Sequence, residues 1–230
     1  MKTIGILAGM TWQSSLTYYR EINQTVQDRL GADHSAKIAL YSVDFEEIAE
    51  VHRNGNWPEA ERILAEAGLK LKAAGADFIL MATNTMHLVA DAVIQATDLP
   101  FLHIAEVTAD ALLADGIKKV VLTGTRFTME LPFYTEILTK RGLEVMIPNE
   151  PQREFIHQTI YEELGHGIIR EDTLKTFQTL LLDMKQQGAE AVILGCTEIG
   201  LLINESNSPL PVYDTALLHA RAAAELALKE

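Results

Sequence analysis

The sequence predicts an α/β protein built twice: two similar pseudo-twofold-related domains, each a parallel sheet flanked by helices. A gapless internal repeat is the first observation behind this. Gly75-Ala76-Asp77-Phe78-Ile79-Leu80-Met81-Ala82-Thr83-Asn84-Thr85 aligns with Gly188-Ala189-Glu190-Ala191-Val192-Ile193-Leu194-Gly195-Cys196-Thr197-Glu198, 113 positions later. Each copy reads glycine, alanine, acid, a short apolar run, a small residue, and then Thr83 or Cys196. The glycine suits a helix C-cap, the apolar run a buried parallel strand, and the polar end a βα loop. Two further landmarks recur in the same order. Lys2-Thr3-Ile4-Gly5-Ile6-Leu7 matches Lys118-Lys119-Val120-Val121-Leu122-Thr123 at an offset of 116, and Leu99-Pro100-Phe101 matches Leu210-Pro211-Val212 at 111. Near-equal offsets over three landmarks indicate a duplicated unit. Residues 1–98 plus 208–230 are expected to form one domain and 99–207 the other. Ligands favour the carboxyl ends of parallel strands and domain interfaces. The expected centre is therefore an interdomain cleft with Thr83 and Cys196 on opposite walls.

Composition narrows the function classes. The chain has 230 residues, enough for one large or two small domains with adequate cores. Its net charge of −13 argues against nucleic acid and anionic membranes as partners, since no broad basic footprint exists. No apolar run has the length of a membrane span, and no signal-peptide pattern opens the chain, so a cytoplasmic location is expected. The single cysteine excludes an internal disulfide and a multi-cysteine metal site. No metal and no cofactor are expected.

The elements follow in order. Residues 3–8 form a first strand, and Gly9-Met10-Thr11 turns into a helix reaching about Leu30, with Ser14 or Ser15 as N-cap. Residues 36–43 form a second strand, and Asp44–Arg53 a short acidic helix or loop. Pro58 opens a helix to Ala74 with one apolar face, leading to the strand at 77–82. A helix from the Thr83-Asn84-Thr85 loop runs to about Gln95, and a short strand is expected at 99–104. A helix at 105–114 and a strand at 117–125 follow. Further on come a strand at 143–147, helices at 155–164 and 172–187, the Cys196 strand, a strand at 210–214 and an alanine-rich terminal helix. His87 lies one helical turn beyond Thr83 and reads equally as a structural histidine or a site residue. His166 sits between two glycines with no periodicity to explain it, which favours function.

Two proton-handling groups on opposite sides of a carbon acid can invert a stereocentre without a redox or imine cofactor. A thiolate is a workable base, because a cysteine pKa of ~8.5 falls beside helix N-terminal N–H groups. Cys196 opens a helix-like segment, so a lowered pKa is expected there.

Thr83-Asn84-Thr85-Met86-His87 and Gly195-Cys196-Thr197-Glu198, with the Gly9-Met10-Thr11 opening, resemble the cofactor-independent aspartate/glutamate racemase family over the whole chain. Most members carry Cys-Asn-Thr where this chain has Thr83-Asn84-Thr85, so it is similar to a threonine/cysteine-pair subgroup. The resemblance implies a PLP-independent isomerase acting on L-aspartate and L-glutamate, and a homodimer. In the family the second cysteine handles the L face. Cys196 is thus expected to take the α-proton and Thr83 to supply the other face, with D-substrates turning over slowly. The motif match assigns the α-carboxylate to Asn84, Thr85 and Thr197, helped by N–H groups at Met10 and Thr125. Position assigns the side-chain carboxylate to His52 and His166, with Arg53 and Arg126 in reserve. A one-cysteine decarboxylase of the same superfamily and a non-catalytic amino-acid-binding module are the competing readings.

Overall fold

The computed structural model describes residues 1–31 and 33–229. In chain order the elements begin β1 (Ile4–Ala8), α1 (Trp12–Leu30), β2 (Ile38–Ser42), α2 (Phe45–Asn54), α3 (Trp57–Ala73), β3 (Phe78–Met81), α4 (Ala90–Thr97) and α5 (Ile104–Ala114). They continue with β4 (Lys119–Gly124), α6 (Arg126–Glu130), α7 (Pro132–Lys140), β5 (Glu144–Met146), α8 (Glu150–Gln158) and α9 (Glu171–Gln186). The last are β6 (Ala191–Gly195), β7 (Val212–Asp214) and α10 (Thr215–Leu228). The chain divides into two compact units. One holds Met1–Ile104 and the C-terminal stretch from Ala216; the other holds Ala105–Thr215.

The first unit contains a parallel sheet of order β2-β1-β3, with Ile6 opposite both Leu40 and Leu80. Side chains alternate across β1 because successive residues of a strand point to opposite faces. Ile4, Ile6 and Ala8 pack with Tyr18, Ile22 and Val26 of α1 and with the alanines of α10. Small alanine side chains let α10 lie close to the sheet. Leu7 faces the other way, into a cluster with Leu64, Leu71, Ile79 and Val93. Gly68 permits the approach of α3 to α4, since a Cβ there would sit 3.0 Å from Val93 and from Thr97.

The second unit contains a parallel sheet of order β5-β4-β6-β7. Leu122 pairs with Ile193, and Ile193 with Tyr213. Its core joins Phe177, Leu181 and Met184 of α9 to Val121, Val192 and Leu194.

The repeat read from the sequence is thus a repeat of topology. Phe101 forms a parallel bridge to Ile79, the counterpart of β7 beside β6. The Ile79 N–H donates to the Pro100 carbonyl at 2.9 Å, just as the Val192 N–H donates to that of Pro211 at 2.9 Å. The expected strand at 99–104 shrinks to this bridge. Leu102 N–H still bonds to the Ile79 carbonyl, but Ile104 N–H turns to the His87 ring at 3.3 Å, so the ladder stops. These bonds keep Phe101 and Leu102 in the first unit.

Two helix starts also differ from expectation. Thr11, not Ser14 or Ser15, caps α1, its side chain accepting the Ser14 N–H. Helix α8 begins at Glu150, not 155, because Asn149 and Gln152 form a reciprocal capping box.

His219 of α10 is fully buried and hydrogen-bonded at both ring nitrogens. Tyr18 hydroxyl lies 2.8 Å from Nδ1, and Nε2 lies 2.9 Å from the Leu102 carbonyl. Burial pushes its pKa down from about 6.5 to about 3. Above pH 6.5 neither folded nor unfolded chain protonates it. Below that, the unfolded chain takes up a proton and the folded chain does not, so stability is lost as the pH falls towards 3. The expected loss from this residue between pH 7 and pH 5 is about 2 kcal/mol. Thermal melts of His219→Gln, which retains a donor for Leu102, should show a shallower acid dependence than wild type over that range.

Candidate active site

In the first unit, β1 and β3 are neighbours in register, with Leu7 opposite Met81. Their loops therefore emerge together at the carboxyl edge, one carrying Met10 and the other Thr83-Asn84-Thr85. Gly9 has φ +92°, and a Cβ on it would meet the Val43 carbonyl oxygen at 2.3 Å, so only glycine fits. Gly9 N–H donates to Ser15 Oγ at 2.9 Å, and Ser15 Oγ donates to the Thr11 carbonyl at 2.9 Å. These bonds fix the turn behind Met10. Thr83 is half-buried, while Asn84 and Thr85 are buried. Beyond them the chain makes only a five-residue 3-10 turn, Thr85–Val89, before α4. An α-helix starting at this loop was expected; the short turn offers no comparable dipole.

In the second unit, β4 and β6 end side by side at Gly124 and Gly195. A Cβ on Gly195 would lie 2.6 Å from the Thr123 carbonyl oxygen, and one on Gly124 would lie 2.9 Å from that of Gly195. Glycine at both positions lets the strand ends approach and sets Thr125 beside Cys196. Thr125 caps α6 by accepting the Thr128 N–H at 3.3 Å.

Cys196 is half-buried, and its Sγ–H donates to Glu198 Oε2 at 2.8 Å. The Thr197 hydroxyl donates to the same oxygen at 3.1 Å. The lowered thiol pKa expected from helix N–H groups is not found. Burial pushes the thiol well above its ordinary value, reinforced by the charge and hydrogen bond of Glu198, and the segment after it is again only a 3-10 turn, Thr197–Leu201. The thiol is a protonated group with a carboxylate placed to accept its proton.

Tyr161 belongs to the same surroundings. It lies on a π-helical turn, Thr159–Glu163, with its ring 4.7 Å from that of His157. Its pKa is pushed up to about 12, by burial first and then by the negative charge that Cys196, once ionised, and Glu198 present to it. Tyr161 can therefore donate a hydrogen bond near neutral pH but not act as a base. His157 Nδ1 accepts the Arg126 N–H at 3.3 Å.

The proposed cations are placed as follows. His52 packs against Trp57, its Nε2 lies 3.1 Å from Met86 Sδ, and burial pushes its pKa down to about 4. Burial thus favours the neutral ring at pH 7 and works against the positive charge expected of it. Arg53 is ion-paired with Glu46, and Arg126 with Glu154. His166 is exposed on a turn closed by Gly167. Among the described residues no helix is long and apolar enough to cross a membrane. Nor does any group of three or more His, Cys, Asp or Glu among them have the disposition to hold a metal ion. Sequence reasoning missed Glu198 and Tyr161. Glu198 stood in the quoted motif, and only its direction, back onto the thiol, was hidden. Tyr161 had no sequence signal.

Two units of one topology, each with polar loops at its parallel strand ends and one with a thiol–carboxylate pair, define a two-unit α/β enzyme. The Asp/Glu/hydantoin racemase family model matches residues 7–223, and the chain belongs to that family. It is an isomerase, an amino-acid racemase acting on small-molecule amino acids. A presumed Asp/Glu racemase from Yersinia pestis is 47% identical, with TM-score 0.95 and full coverage of both chains. An aspartate racemase homologue from Pyrococcus horikoshii OT3 is 34% identical, with TM-score 0.88 and full coverage of both. The broad specificity amino-acid racemase RacX of Bacillus subtilis (strain 168) is 27% identical over 224 residues, 95% of each chain.

The Cys196–Glu198 contact has a direct test. Glu198→Gln removes the negative charge that raises the thiol pKa. The pH dependence of Cys196 alkylation should move to lower pH in this variant, and wild type should titrate above an ordinary cysteine.

Proposed function

We propose that the chain racemises L-aspartate and L-glutamate without a cofactor, using Cys196 on the L face and Thr83 on the other. The hydrogen bond from the Cys196 thiol to Glu198 carries this reading. Glu198 accepts the thiol proton, and the resulting thiolate removes the α-proton of the L-substrate. Thr83, too weakly acidic to be a base in its own right, donates a proton to the opposite face and recovers one from water. Glu198 releases to solvent the proton it took from the thiol, so the cycle closes with both groups restored. The enzyme therefore works from the L-enantiomer, and D-substrates turn over slowly. Asn84, Thr85 and Thr197 bind the α-carboxylate, with main-chain N–H groups of Met10 and Thr125.

The side-chain carboxylate falls to His52 and His166, with Arg53 and Arg126 in reserve. His52, being neutral, contributes a hydrogen bond only. Loose charge selection of this kind widens the substrate range, in keeping with the broad specificity that names the similar Bacillus enzyme.

Proton NMR of each L-substrate in D₂O tests the reading. Wild type is expected to lose the α-proton signal and form D-product. Cys196→Ala should lose about 10²–10⁴-fold in exchange, the usual worth of a positioned acid–base group. Thr83→Ala should keep exchange and lose inversion, and Thr83→Cys should raise turnover of the D-substrate. An absence of exchange with either acid would turn the assignment towards the decarboxylase or the binding module.

We further propose a cytoplasmic homodimer. Trp12, Leu16 and Tyr19 form an exposed stripe along α1, with relative exposures of 62%, 58% and 52%, a large apolar face for a surface helix. Sedimentation should give a dimer for wild type and a monomer for Leu16→Asp; equal sedimentation of the two would reject this face as the contact.

A further inference from the structure

His87 is 3% exposed and sits directly behind the Thr83-Asn84-Thr85 loop. Its ring is enclosed by other rings, with centroids 4.6 Å from His103, 5.6 Å from His219 and 5.7 Å from Phe101. Nε2 accepts the Ile104 N–H at 3.3 Å. In a neutral imidazole the other nitrogen then carries the proton. That nitrogen, Nδ1, is fully buried without a hydrogen-bond partner. The ring lies by the main-chain carbonyls of Thr83 and Asn84, and the main-chain N–H of His87 already donates to the Asn84 carbonyl at 3.1 Å. Burial, with His103 and His219 adding to it, holds the ring neutral. His219 is in turn fixed by Tyr18 and Leu102. The cluster is thus a backing to the loop that holds one buried imidazole N–H without a partner.

A buried donor facing carbonyls without closing on them is costly unless the contact tightens in some state of the protein. Hydrogen bonds around active sites are commonly long without ligand and shorten when substrate binds.

We propose that His87 is a positioning residue: its Nδ1–H closes on the Thr83 and Asn84 carbonyls when a substrate carboxylate binds the loop, and so sets the Thr83 hydroxyl for proton delivery. This rests on the roles given above to Thr83 and Asn84. His87 itself does not touch the substrate. The ring neither exchanges a proton with the substrate nor relays one, since its Nε2 is held by a main-chain N–H.

The test separates proton delivery from proton abstraction. In D₂O, the ratio of D-product formed to α-deuterium incorporated from L-aspartate reports delivery relative to abstraction. His87→Gln can accept from Ile104 but cannot place a donor where Nδ1 was, whereas His87→Asn can place one there. The ratio should fall about tenfold or more in His87→Gln, since small displacements of a catalytic group cost up to about 10²-fold. It should stay within about threefold of wild type in His87→Asn, at equal melting temperature. An unchanged ratio in His87→Gln, or an equal fall in both variants, overturns the proposal while leaving the racemase reading intact. Absence of any exchange in wild type overturns both. Should the variants fail to fold, the His87 Nδ1–H resonance of ¹⁵N-histidine-labelled wild type gives the answer. It should move downfield when L-aspartate is added, and a resonance that stays in place overturns the proposal.

Discussion

The hydrogen bond between the Cys196 thiol and the Glu198 carboxylate sets the chemistry open to this protein. A thiol that is half-buried and faces a negative charge resists ionisation, and the structure supplies no long helix to offset that. In the proposed mechanism, proton transfer to the carboxylate makes the thiolate, because it moves a charge rather than creating one in a poorly solvated place. The low acidity of Tyr161 follows the same pattern: burial keeps it a donor.

That pair depends on backbone geometry more than on side chains. Gly124 and Gly195 let two parallel strands end closer together than any Cβ allows, and Gly9 does the same for the turn after β1. The polar loops then emerge from buried strands paired in register, so their positions are inherited from the sheets. Loops carried on a rigid scaffold in this way are where α/β proteins place their chemistry.

Much of the fold was legible because duplication leaves its mark on sequence. The Gly-Ala-acid strand at 77–82 and its copy take equivalent places in like sheets, β3 beside β1 and β6 beside β4, and even the weak Leu-Pro match at 99 and 210 corresponds to like main-chain bonds at Ile79 and Val192. What escaped depends on contacts between distant residues. Tyr18 meets His219 across 201 positions, and no local pattern announces it. The sign of the Cys196 shift was misread because spacing suggests a helix N-terminus, whereas burial and the direction of the Glu198 side chain are tertiary facts. His52 was read as a cation from its position in the chain; packing against Trp57 and Met86 buries it, and burial favours the neutral ring. The Thr11 cap was missed by a few residues for the reason that caps usually are: Thr11, Ser14 and Ser15 are all chemically competent, and only the backbone chooses.

The pH profile of α-proton exchange in wild type and Glu198→Gln, each saturated with L-aspartate, tests the central claim most directly. If Glu198 accepts the thiol proton, wild-type exchange should be flat through neutral pH. The variant, obliged to ionise its thiol to solvent, should then rise about tenfold per pH unit until the thiol titrates. Superimposable profiles of equal rate would contradict the account.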